Sequence, residues 1–328
     1  MRSALSAMRK HMIENWDFEK PVLEIEKKIE ELKRFSSEKD IDLSSEINNL
    51  EKKLKNLKKG IYTNLSPWQK IQIARHPKRP TTLDYINLIM KDFIPLCGDR
   101  LFGEDKAMVS GLATFEGTKI VVMGQQKGRD TKENIARSFG CANPEGYRKA
   151  MRLMHLGERY GLPVICLVDT PGAYPGVGAE ERGQALAIAE NIRDMFYIKT
   201  PIIVVVIGEG GSGGALGIGV GDKVLIMENA YYSVISPEGC AAILWKDVAA
   251  RKDAAKVLKL TAPDLLNLGI IDEAIPEPEG GAHRNPDLAA KNLKEALSRN
   301  LKELTGIDLD TLIKTRYAKF RKMGVFKE

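Results

Sequence analysis

Two apolar runs, each ending in a glycine-rich turn, constrain this chain more than any other feature. Val164-Ile165-Cys166-Leu167-Val168 leads into Asp169-Thr170-Pro171-Gly172-Ala173-Tyr174-Pro175-Gly176. Ile202-Ile203-Val204-Val205-Val206-Ile207 leads into Gly208-Glu209-Gly210-Gly211-Ser212-Gly213-Gly214-Ala215-Leu216. Both runs read as strands. Glycine lets backbone approach a ligand closely, and the N–H groups at a helix start have no partner inside the helix. Two such turns can hold a developing oxyanion without a charged side chain, which points to chemistry on a carbonyl.

The surrounding sequence narrows the fold. Residues 107–115 and 119–123 read as a hairpin around Glu116-Gly117, Pro144–Tyr160 as a helix ended by Gly161, and residues 183–196 as another helix. After the second turn come a short helix, strands at 223–227 and 232–235, and helices at 246–260 and 262–268. Strands alternating with helices give an α/β chain with a parallel sheet covered by helices. The first 62 residues differ. Val22, Ile25, Ile29 and Leu32, then Leu43, Ile47, Leu50, Leu54 and Leu57, form narrow apolar stripes on charged helices, with a polar turn at 36–40. They read as an antiparallel helical arm that braces the fold or contacts a subunit. The expected division is 1–62 for the arm, 63–280 for the core and 281–328 for a basic helical segment. From residue 291 onward ten Lys/Arg stand against five Asp/Glu, most of the chain's net charge of +6. A solvated face and an interaction surface explain that excess equally well.

Composition excludes several classes. With 43% hydrophobic and 29% charged residues among 328, the chain suits a water-soluble globular protein. The basic excess favours acidic partners but is too small for nucleic-acid binding. Cys97, Cys141, Cys166 and Cys240 are far apart with no Cys-x-x-Cys, so no metal site is expected, and reduced thiols in a cytoplasm are the simplest reading. No run approaches a membrane span.

The second glycine turn fits three patterns. Gly208-x-Gly210-x-x-Gly213 with Glu228 twenty residues on matches a dinucleotide (NAD) fingerprint, although the helix it opens carries Gly217, Gly219 and Gly221. Gly210-x-Ser212-x-Gly214 matches a serine-hydrolase elbow, with Asp272 and His283 in the right order for a triad, although Gly208-Glu209 separates strand from motif. The third reading is an oxyanion hole from the backbone N–H groups of Gly213 and Gly214, faced by a donor from Gly172 or Ala173. It alone uses both turns.

At these residues the chain resembles the alpha subunit of bacterial and plastid acetyl-CoA carboxylase carboxyltransferase. The resemblance rests on residues 169–183, on 208–216, on Val220-Gly221-Asp222-Lys223 and on Ser233-Val234-Ile235-Ser236-Pro237-Glu238-Gly239-Cys240. Ala74-Arg75-His76-Pro77-Lys78-Arg79-Pro80, residues 126–133 and residues 275–286 extend it over nearly the full length in the same order. One departure is Cys97, where the family usually has histidine before Gly-Asp-Arg. No role for a histidine there carries over.

The resemblance implies a crotonase-like superhelix of ββα units. It implies transfer of a carboxyl group from carboxybiotin, borne on a biotin carboxyl carrier protein, to acetyl-CoA, giving malonyl-CoA for fatty-acid biosynthesis. The implied partners are a beta subunit with a zinc ribbon, in an α2β2 assembly, and a biotin carboxylase that alone uses ATP. Backbone donors of Gly213, Gly214, Gly172 and Ala173 would stabilise charge on the ureido oxygen. Tyr174, Pro175, Gly211, Ser212, Ala215, Ser236, Pro237 and Glu238 would shape the carboxybiotin pocket, the last three as a turn forming its floor. Arg75, Arg79, Lys127 and Arg129 would steer anions; a surface loop, or for the last two an ion pair with Asp130 or Glu133, is the alternative.

Overall fold

The computed structural model describes residues 18–39 and 41–324. Its centre is one sheet: β1 Lys91–Pro95, β2 Met108–Phe115, β3 Thr118–Gln125, β4 Val164–Thr170, β5 Ile202–Gly211, β6 Lys223–Met227, β7 Tyr231–Ser233 and β8 Glu273–Ile275. The order is β1-β2-β3-β4-β5-β6-β8, with β7 also on β5. β1, β2 and β3 pair antiparallel; from β3 to β8 every pairing is parallel. β4 and β5 are buried at every position, as the middle strands of a sheet covered on both faces should be. Their apolar content, Val, Ile, Cys and Leu without alternation, is the sequence signature of that burial.

The edge of β5 is shared. β6 pairs its first half, Ile203 to Val206, and β7 pairs its end, Glu209 to Gly211. The chain leaves β6, turns, and continues as β7 along the same strand. This extends the sheet to the point where the second glycine turn begins.

The strand at 223–227 lies where expected, the hairpin expected at 107–115 and 119–123 is Met108–Phe115 with Thr118–Gln125, and Pro144–Tyr160 ends on Gly161 in the left-handed conformation (φ 64°). Other elements differ. The strand expected at 232–235 is Tyr231–Ser233. The helix expected at 246–260 is split into a 3₁₀ turn, Val248–Ala250, and a helix, Arg251–Val257. The helices Pro67–Ala74 and Thr82–Ile89 and the strands β1 and β8 carried too few residues to show a period.

The first two helices of the described residues, Lys20–Lys39 and Ser44–Tyr62, pack side by side through Lys33–Glu51 (2.6 Å) and Lys58–Glu26 (2.7 Å). Serines 36 and 37, expected in the turn, belong to the first helix; Asp40 lies outside the described residues. The basic carboxyl-terminal segment forms helices Pro286–Thr305 and Leu309–Arg321. Lys291, Arg299, Lys302, Lys314, Arg321 and Lys322 are exposed, as on a solvated face, but two cations of the last helix reach the core. Arg316 is buried against Asp222 (2.7 Å), and Lys319 meets Asp272 (2.8 Å).

Candidate active site

The two glycine turns meet. A Cβ on Gly214 would lie 2.4 Å from the carbonyl carbon of Gly172 and 2.5 Å from the nitrogen of Ala173, and one on Gly211 would lie 2.2 Å from the Pro171 oxygen. Only glycine permits this approach. Gly213 and Gly214 stand in the first turn of the helix Ser212–Leu216, where N–H groups lack a carbonyl partner in the helix. Gly213 is open: a Cβ there would meet nothing nearer than Ile188 Cδ1 at 3.7 Å. On the first turn the Gly172 N–H is already taken by Thr170 Oγ1 (3.1 Å), which leaves Ala173 as the donor of that pair.

The strand ends that launch these turns are out of step. Pairing of β4 with β5 runs residue for residue to Val168–Val206, then resumes at Thr170–Gly210. Three residues of β5 therefore oppose Asp169 alone, a bulge that re-aims the strand end. The Asp169 carboxylate fills it. Its Oδ1 accepts the Glu209 N–H at 2.9 Å and would lie 2.4 Å from a Cβ at Gly208.

Beneath the turns is a buried ionic lattice. Lys127 Nζ donates to Asp169 (2.7 Å) and Glu209 (2.8 Å). Arg75 donates to Glu209 (2.7 Å), Glu238 (2.6 Å) and Tyr231 Oη (3.0 Å), and the Tyr231 hydroxyl donates to Glu209 (2.5 Å). Burial alone would raise the Glu209 carboxyl, but Lys127 and Arg75 outweigh it and hold it well below the usual carboxylate range. Lys127 is likewise held charged: burial works against the ammonium, and Asp169 and Glu209 reverse that.

A cavity of about 190 Å³ opens beside this lattice. Arg75, Arg79, Lys127 and Arg129 all line it, together with Asp169 and Pro171 of the first turn. Each of the four cations has an anion of its own. Arg79 is buried against Glu277 (2.5 Å), and the Arg129 side chain pairs with Asp84 while its N–H donates to Glu133 (2.9 Å). The surface-loop alternative is thus overturned for Arg75 and Arg79. Their charges, like that of Lys127, are spent on structure before any ligand arrives.

The expected pocket residues scatter. Ser212 and Pro175 are exposed and Tyr174 is half-buried, whereas Gly211 and Ala215 are buried, as Gly214 is. Ser236-Pro237-Glu238-Gly239 is not a turn flooring the pocket. It is the start of the helix Pro237–Leu244, with Ser236 Oγ accepting the Gly239 N–H (3.1 Å) and Glu238 turned inward to Arg75. Sequence reasoning missed Asp169, Glu209, Gln125 and Tyr231. An acid at the end of an apolar strand, directly after Val168 at Asp169 and one glycine after Ile207 at Glu209, was the available signal.

Two alternative readings fail on geometry. Asp272 accepts the Val224 N–H (2.6 Å) near the start of β5, while Ser212 follows its end, eight residues and roughly 26 Å away at the strand rise. His283 stacks on His76 (3.8 Å). No triad forms. The dinucleotide reading needs a helix to carry the pyrophosphate dipole, and Ser212–Leu216 has five residues.

Among the described residues no helix is long and apolar enough to cross a membrane. Comparison with known proteins gives one answer. The family described as acetyl co-enzyme A carboxylase carboxyltransferase-like matches residues 15–324. The acetyl-coenzyme A carboxylase carboxyl transferase subunit alpha of Thermus thermophilus is 56% identical over 312 residues, covering 95% of this chain and 99% of its own. That of Geobacter metallireducens is 57% identical, covering 95% and 98%. In solved structures the fold recurs in transcarboxylase 12S (TM-score 0.53, 20% identity, 66% of this chain and 40% of that one). It recurs in the beta subunit of Pseudomonas aeruginosa geranyl-CoA carboxylase (TM-score 0.54, 15% identity, 80% and 48%). The architecture is therefore crotonase-like, and this chain spans less than half the length of those two proteins. The chain belongs to the family of acetyl-CoA carboxylase carboxyltransferase alpha subunits.

Proposed function

We propose that this chain supplies the carboxyl-donor half of a carboxyltransferase site, with the meeting of the two glycine turns as its centre. The family makes it a component of a biotin-dependent enzyme that acts with a beta subunit. The substrate is carboxybiotin on a carrier protein. The backbone N–H groups of Gly213 and Gly214, with that of Ala173 opposite, would stabilise negative charge on the ureido oxygen as the carboxyl group leaves. Backbone donors fit this task because they are fixed before the charge develops. Tyr174, Pro175 and Ser212, next to these donors in sequence and accessible, would edge the carboxybiotin site. The carboxyl group then bonds to the acetyl-CoA methyl carbon, and the proton removed from that methyl passes to the biotin nitrogen. No side-chain base of this chain is needed, which agrees with a centre whose nearest acids are locked in ion pairs.

The single observation that supports this reading is the close approach of Gly214 to the Gly172–Ala173 peptide, which sets the two turns against each other. The zinc ribbon of the beta subunit, the separate ATP-using carboxylase, the carrier protein and a cytoplasmic location belong to the same proposal. Its test is co-expression with a candidate beta subunit, followed by assay of malonyl-CoA decarboxylation with free biotin. The complex should turn over and the single chain should not. Full activity from the purified single chain would refute a site shared between subunits.

A further inference from the structure

The end of β3 reaches under both turns, and no role in the reaction accounts for it. Gln125 is fully buried. Its Nε2 donates to the Gly214 carbonyl (3.0 Å), and its Oε1 accepts the Asp169 N–H (3.2 Å). One amide therefore ties the second turn to the strand end that launches the first. The Gly214 carbonyl takes a second donor from the Tyr147 hydroxyl (3.3 Å). Two residues on, Lys127 clamps Asp169 to Glu209 across the bulge. The main chain of Gln125 is itself held, its carbonyl accepting from Thr82 Oγ1 (2.6 Å).

From this geometry we infer that Gln125 is a positioning residue for carboxyl transfer, setting the angle between the two donor turns. The inference rests on the reading that those turns bind the oxyanion. A short helix with five glycines in and just beyond it, from Gly213 to Gly221, has little stiffness of its own. Its orientation is set by what grips its carbonyls. Misplacement by a fraction of an ångström is enough to weaken a preorganised donor set. Gln125 touches no reacting atom; it acts through Gly214 and Asp169.

The test is Gln125→Glu in the complex with the beta subunit. The carboxylate keeps the acceptor for the Asp169 N–H and loses the donor to Gly214. We expect normal assembly, kcat down about 10-fold near pH 8, and KM for acetyl-CoA within about 2-fold, as for loss of one positioning hydrogen bond. Burial beside Asp169 raises the new carboxyl, so lowering the pH through the range in which the parent complex stays active protonates it and restores a donor. Activity relative to the parent should then recover. Parental kcat at pH 8, or a loss that does not recover, overturns the inference. If Gln125→Glu fails to assemble, Tyr147→Phe removes only the second donor. It should lower kcat about 3-fold, and unchanged kcat counts against the inference. Gly214→Val in the same assay separates the two levels. If it retains parental kcat, the turn reading itself fails; if it is impaired while Gln125→Glu is not, only the positioning role falls.

Discussion

At the scale of single residues, the two neighbouring glycines of the second turn are not equivalent. A Cβ at Gly213 would make only ordinary contact with Ile188 (3.7 Å), so Gly213→Ala should leave folding and carboxyl transfer within about 3-fold of the parent, alanine being also a slightly better helix former. Gly214 is pressed on the Gly172–Ala173 backbone, which cannot yield as a flexible side chain would. Gly214→Val must therefore push the two turns apart. It should cost at least ~10²-fold in kcat, the scale of a lost oxyanion donor, and some stability as well, because the position is buried and does not merely line the surface. Steady-state kinetics and thermal melts of the three complexes decide this. Ser212 provides a third case. Its φ of 48° is left-handed, so Ser212→Gly should melt higher by about 1 kcal/mol of stability and keep its activity. Loss of activity in that variant, with fluorophosphonate labelling of the parent serine, would restore the nucleophile reading. The glycine turns themselves were legible from sequence, because glycine after an apolar strand has few other uses. Which glycine is open and which is closed depends on a contact between segments forty residues apart, and no local pattern records it.

At the scale of elements, legibility followed length and burial. The helix Pro144–Tyr160 has a proline at its start, glycine at its end and seventeen residues to show its period; β4 and β5 are apolar throughout. By contrast β8 has three residues and gains its identity only by pairing with β6. The helix Pro237–Leu244 was hidden because Ser-Pro-Glu-Gly reads as a turn, when Ser236 is its cap and Pro237 its first residue. The basic tail was ambiguous in sequence because its partners are remote. Arg316 is buried and spans Asp222 (2.7 and 2.8 Å) and the carbonyls of Met195 (2.6 Å), Ile198 (2.9 Å) and Thr200 (2.8 Å). It thereby fastens the helix Leu309–Arg321 to the chain that enters β5. Arg316→Leu should destabilise the fold by roughly 3–5 kcal/mol, since it leaves the Asp222 carboxylate without a cation, held only by the Ile202 N–H (2.7 Å), and takes a donor from three carbonyls in a buried place. Arg316→Lys should recover only part, one ammonium replacing a five-donor fork. Denaturant melts measure both, and a loss below about 1 kcal/mol for the leucine variant would place the docking energy elsewhere.

At the scale of the whole molecule, the helical arm is held to the core by a cluster of charged and histidine side chains whose arrangement predicts a pH dependence. Arg284, just before the helix Pro286–Thr305, donates to Glu26 (2.9 Å), Glu19 (3.4 Å) and the Tyr62 hydroxyl (3.2 Å), joining both arm helices to the core. Next to it His283 stacks on His76 at 3.8 Å with 20° between planes. Glu19, His76 and His283 bring ligand-type atoms within 4.8 Å of one another, but face-to-face rings do not aim their in-plane lone pairs at one point, and Arg284 already sits on Glu19. The pair acts instead through its charge state. Burial, then Arg284, Lys78 and Arg79, push His76 down to about 4. Burial, then His76 and the same cations, push His283 down to about 2. Both are thus neutral in the folded protein at pH 7 and would be protonated in the unfolded chain below about 6.5. The unfolded state then binds more protons, so stability falls as pH drops from about 6.5 towards 4. Asp105 works against this, because burial holds it at about 6 and the folded state gains its proton first, but it offsets one histidine of two. The melting temperature should therefore decline across that window. His76→Asn with His283→Asn should remove the decline above about pH 5, where Asp105 then tilts the curve the other way; nearer pH 4, Glu209, Glu277 and Asp99, held low in the folded protein, still cost stability. Limited proteolysis should show the arm, residues 18–62, cut sooner at pH 5 than at pH 7 in the parent and equally at both in the variant. A parent whose melting temperature is flat from pH 7 to pH 5 would mean that the histidine stack stays intact when protonated, and that the arm is held by Arg284 and its carboxylates alone.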